Sequence, residues 1–142
     1  MTELTLAKAN GIIETALARA AELNLKPLCV VVLDAGGHLV ASQRQDDASF
    51  LRPEIASGKA FGALAIGAGA RTVAKHAIER PHFMQGLSGV SGGKIVPVPG
   101  GVLIRAEANR IIGAVGISGD TADNDEAVAV AGIEAAGFAA EA

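Results

Sequence analysis

The chain has 142 residues, 50% hydrophobic but only 3% aromatic, with a formal net charge of −3 and basic residues scattered singly. That size suits one domain, residues 1–142, burying roughly 68–70% of its unfolded surface in a core of Ala, Val, Ile and Leu. It offers no basic footprint for nucleic acid and no apolar run near the ~20 residues of a membrane span; without a signal-like leader, and with the single Cys29 lacking a disulfide partner, it reads as cytoplasmic.

Leu4, Leu6, Ile12, Ile13, Ala16, Leu17, Ala20 and Leu23 recur at helical steps, predicting a helix over 4–24 capped by Thr2 or Thr5 and ended by Asn24 and Pro27. The run at 28–33 reads as a buried strand, and Asp34-Ala35-Gly36-Gly37 turns it back into a second strand at 38–43. So short a connection makes the pair antiparallel. Pro53 suits the first turn of a helix with the stripe Ile55, Lys59, Gly62 and Ile66, whose small neighbours Gly58, Ala63 and Gly67 predict close approach to another backbone. A second helical piece, 72–79, stops at Pro81. Residues 80–100 have no clear period and read as an ordered loop, with one helical turn and a short strand near Ile95 and Val96. Strands at 102–105 and 110–118 form a second hairpin, and Asp120, Asp123 and Asp125 open a final helix reaching Ala136. The order α-β-β-α-α-loop-β-β-α gives an α/β fold, an antiparallel sheet flanked by helices.

The glycines of Ile112-Gly113-Ala114-Val115-Gly116-Ile117-Ser118-Gly119 fall three apart, which breaks the dinucleotide fingerprint, and the acids after them would repel a phosphate. Alternation places Ile111, Gly113, Val115 and Ile117 on one face of this strand and Ile112, Ala114, Gly116 and Ser118 on the other. The three histidines lack the paired spacing of a zinc site, so no metal site is expected. His82 stands beside Arg80, Phe83 and Met84 in the irregular segment, where a ligand or acid/base role would find apolar, coordinating and cationic groups together. Lys59 lies on a small apolar stripe, from which it either snorkels to water or points into a pocket that holds an acid. Asp46 and Asp47 follow the second strand as a solvated turn or a site at the strand end, and Cys29 reads as inert core.

Four ordered stretches read together: Val32 to Val40 (VLDAGGHLV), Ile55 to Ala60 (IASGKA), Pro99 to Ile104 (PGGVLI) and Ile112 to Gly119 (IGAVGISG). In that order they resemble the GlcG/HbpS-like (DUF336) family of small haem-binding or haem-degrading proteins, also found as the C-terminal domain of some cobalamin adenosyltransferases. The resemblance implies a profilin-like sandwich with a five-stranded antiparallel sheet, assembling into dimers and larger homo-oligomers, with haem as a possible cofactor. No motif fixes an axial iron ligand; with no tyrosine in the chain, His82, Met84, His76 and Cys29 are the candidates. Two readings follow. In the first, a homo-oligomer holds haem or a related tetrapyrrole, with His82 or Met84 near the iron and Arg80, Lys59 or Arg52 facing the propionates. In the second, a catabolic hydrolase, deaminase or isomerase holds a small carboxylate with Arg52 and Lys59 while His82 moves protons, assisted by Asp47.

Overall fold

The computed structural model describes residues 3–142. Helix α1 (Leu6–Glu22) leads into strands β1 (Cys29–Asp34) and β2 (Leu39–Arg44), then helices α2 (Arg52–Ile66), α3 (Ala70–Glu79) and α4 (Pro81–Val90). Strands β3 (Gly101–Arg105) and β4 (Ile111–Ser118), helix α5 (Ala122–Ala135) and strand β5 (Ala139–Glu141) complete the order. Thr5 caps α1 by accepting from the Lys8 amide at 3.1 Å, whereas Thr2, the other expected cap, lies outside the described residues. No helix among the described residues is long and apolar enough to cross a membrane.

The five strands form one antiparallel sheet in the order β2-β1-β4-β3-β5. On one face Val30, Val32, Val102, Ile104, Val115 and Ile117 pack against α1 and α5, through side chains such as Ile12, Ile13, Val128 and Ile133. On the other, Cys29, Val31, Leu33, Leu103 and Ala114 meet Ala56, Ala60 and Ala63 of α2. This second layer is thin because α2 lies on the sheet almost backbone to backbone. A Cβ on Gly116 would collide with the Ala56 carbonyl, and one on Gly101 with the Lys59 carbonyl. The small residues of α2 and β4 therefore meet as the sequence predicts.

Three expectations need correction. Residues 81–90 form α4, ten residues long, instead of a loop with one turn, with Pro81 at its start, where a missing donor costs nothing. The fifth strand is not near Ile95 and Val96; it is the C-terminal β5, paired with β3, while the Val96 amide bonds to the Gly58 carbonyl at 3.2 Å and straps residues 94–96 onto α2. Finally, a register shift between Ile104 and Arg105 pairs Arg105 with Ile111 and leaves Ile112 as the extra residue. Ile112 consequently joins the α1–α5 side and Ile111 the α2 side, opposite to strict alternation, which holds from Gly113 onward.

Candidate ligand-binding cleft

Helix α2 packs on β4, β1 and β3 and barely reaches β2, so the α2-side face of this edge strand is left open. The result is a cleft of about 730 Å³, within the roughly 300–1,000 Å³ of small-molecule sites. Val31, Leu39 and Ser42 of β1 and β2 form its floor, and Leu51, Ile55 and Phe61, on and just before α2, its apolar wall. Gly93, Lys94 and Val96 close the far side. That strap approaches so closely because Gly58 has no side chain; a Cβ there would strike Val96.

Charge in the cleft is sparse and polarised. The Lys94 ammonium lies 5.6 Å from the centre of the Phe61 ring, so the lysine and the aromatic wall share one end. Glu54 also lines the cleft, seven residues earlier on α2, about 10 Å away along the axis at the rise of an α-helix. Ser42 and Ser57 add hydroxyls between apolar surfaces. The arrangement suits a largely apolar molecule with an anionic group at the Lys94 end. At the hairpin rim, the Asp34 carboxylate accepts the backbone amides of His38 and Gly36, which holds its pKa below the ordinary value.

The residues singled out from the sequence do not assemble around this cleft. Lys59 is buried: its ammonium donates to the Ile117 carbonyl at 2.9 Å and to Asp125 at 3.1 Å. The acid held beside Lys59 is thus the chain's own Asp125, and the charge is not presented to a ligand. Asp125 also accepts the Asp120 amide at 3.0 Å, yet desolvation outweighs the Lys59 field and raises its pKa. Arg52, at the start of α2, donates to the Ser118 hydroxyl at 3.0 Å. Met84 is 8% exposed and packs with Val73 and Ile95, filling a small core under α3 and α4 instead of a site. Arg80 covers the Phe83 ring at 4.2 Å, and His82 is exposed on the first turn of α4. Asp47 is exposed with a φ of 69° in the turn after β2. Cys29 is buried, and desolvation pushes its thiol up to about 11, so thiolate chemistry is suppressed. None of these side chains lines the cleft, and the Arg52 and Lys59 cations donate to Ser118, Ile117 and Asp125 of this same chain.

What the sequence reading missed is Glu54, Ser57, Phe61 and Lys94. Two signals were there: Glu54, Ser57 and Phe61 recur at helical steps as a second stripe of α2, and Lys94 is the only Lys, Arg, Asp or Glu between Arg80 and Arg105.

A family model described as haem degrading protein HbpS-like matches residues 4–134. An uncharacterized 15.0 kDa protein from the dhaT-dhaS intergenic region of Citrobacter freundii is 32% identical over 126 residues, 89% of this chain and 87% of that one. The corrinoid adenosyltransferase PduO of the same organism is 28% identical over 132 residues, which span 93% of this chain but 38% of PduO. Among solved structures, a PduOC:heme complex superimposes with a TM-score of 0.86 at 26% identity, covering 99% of each chain.

Proposed function

Because the chain belongs to the HbpS-like family, whose model spans residues 4–134, we propose that it is a homo-oligomeric binding protein for haem or a related tetrapyrrole. The observation that carries this reading is the cleft of about 730 Å³ beside β2, apolar on its floor and on the α2 wall and cationic at one end. Such a surface receives the flat, apolar face of a macrocycle, and Lys94 can meet a carboxylate on its edge. The PduOC relative, crystallised with haem, supports the same class of ligand. The cleft fits the macrocycle but not the iron, because no His, Met, Cys or Tyr is among its lining residues. Phe50, Ile78 and Val90, whose apolar side chains are 82–86% exposed, are where such an assembly would gain by burial.

Titration of hemin into the purified protein tests the reading. A saturable Soret change with a fixed stoichiometry is expected, and Leu39→Asp, which puts a charge on the floor, should weaken binding about tenfold or more. A response that rises without saturation, equal in both proteins, would sink it.

A further inference from the structure

We infer that this cleft recognises a tetrapyrrole by its apolar plane and its carboxylate edge, with Lys94 as the cationic anchor for that edge, and without an iron ligand from this chain. The inference rests on the functional reading above and gives it a ligand class: porphyrins with free carboxylates, whether or not they hold a metal.

Three observations carry it. First, no side chain of the kind that ligates haem iron is among the residues that line the cleft. His38 sits between the lining residues Gly37 and Leu39, but its ring lies 3.2 Å from the Asp34 carboxylate and its side chain is 81% exposed. His76 meets the Phe83 ring edge-on at 6.0 Å, and His82 is exposed at the start of α4. Met84 and Cys29 are buried in the core, and Met1 lies outside the described residues. Second, the one cation in the lining, Lys94, shares its end with Phe61, so a ring stacked along the α2 wall brings an acidic edge to the ammonium. Third, Glu54 lines the cleft on the earlier part of α2 and would repel a second acidic edge there, which fixes the ligand's direction. Acids gathered on one edge of the ring satisfy both charges; acids on opposite edges do not.

Parallel titrations with hemin, metal-free protoporphyrin IX and the dimethyl ester of that porphyrin test the inference, using wild type, Lys94→Gln and Lys94→Arg. Lys94 is exposed, so these variants should fold, with circular dichroism as the check. Hemin and the metal-free porphyrin should bind within about threefold of each other. The ester, and Lys94→Gln with either free acid, should each bind about tenfold or more weakly, while Lys94→Arg retains binding. In Lys94→Gln the acid and the ester should become equal. The inference is overturned if hemin saturates the protein while the metal-free porphyrin binds at least about tenfold more weakly. A six-coordinate, low-spin hemin spectrum abolished by replacing His38, His76 or His82 overturns it as well. If neither porphyrin binds, the functional reading falls and this inference with it.

Discussion

The buried ion pair Lys59–Asp125 joins α2 to the first turns of α5, with side-chain exposures of 4% and 1%. The pair also bonds to the Ile117 carbonyl and the Asp120 amide, and no buried side-chain polar atom among the described residues lacks a partner. A buried pair costs desolvation, so its removal as a unit is tolerated far better than the loss of one member. Lys59→Met or Asp125→Leu alone should therefore destabilise by about 3–5 kcal/mol in urea unfolding, with the double variant recovering most of the loss. Nearby, Asp120 accepts the Lys26 amide, the Asn124 side chain and the Thr121 amide, which lowers its pKa to about 2. A carboxylate depressed in the folded state adds stability above its ordinary pKa, about 4, and loses it as pH falls through the folded value. Wild type should thus exceed Asp120→Asn in urea midpoint above pH about 4, the two curves converging towards pH about 2. Asp125 runs the other way: its raised pKa makes the folded state bind a proton first, so its own contribution weakens as pH rises from 3.8 through that raised value. The sequence showed an acid-seeking lysine on a small apolar stripe, but its partner lies 66 residues away at a helix start, where the acids look like ordinary caps.

At the scale of elements, the closeness of α2 to the sheet was legible because glycine and alanine recur on both partners, and a helix approaches a strand only as near as its side chains allow. Gly116→Ala puts a methyl against the Ala56 carbonyl, which is backbone and cannot swing away. The variant should lose about 3 kcal/mol or more, or fail to fold, as measured by thermal unfolding. Helix α4 escaped the sequence reading for the opposite reason. Pro81, Gly86 and Gly89 all score as breakers, and the helix exists because Met84 and Leu87 pack against the small core around Val73 and Ile95. A Cβ on Gly86 meets nothing within 4 Å, so Gly86→Ala should stabilise by about 0.5–1 kcal/mol and slow amide exchange along α4. Strand β5 was illegible too, since Ala-Ala-Glu carries no β-branched pattern and becomes a strand only by pairing with β3. The cleft followed the same rule. Glu54, Ser57 and Phe61 were visible as a stripe, but which stripe of α2 faces open space is decided by where the helix lands on the sheet.

At the scale of the whole molecule, the sheet order leaves β2 as an edge strand that α2 barely covers, and the apolar side chains left outward are not all part of the cleft. Leu39 and Leu51 line it, whereas Phe50, Ile78 and Val90 do not and are 85%, 82% and 86% exposed. Covering one such side chain against another copy would contribute about 1.5–3 kcal/mol if it were fully buried. Self-association covers them without needing a second kind of protein, and closed symmetric assembly uses each patch once per subunit. Light scattering should accordingly give a solution mass that is a whole multiple of 14.2 kDa greater than one. Phe50→Glu, Ile78→Glu and Val90→Glu place a charge where the subunits would meet, so at least one should shift the mass to a smaller species with the circular dichroism unchanged. A wild-type mass of 14.2 kDa at micromolar concentration would rule out the assembly. An assembly untouched by all three substitutions would move its interface to other surfaces. Phe50 is the most informative of the three because it adjoins Leu51 at the cleft wall: if Phe50→Glu lowers the mass and weakens hemin binding together, the neighbouring subunit helps to close the cleft.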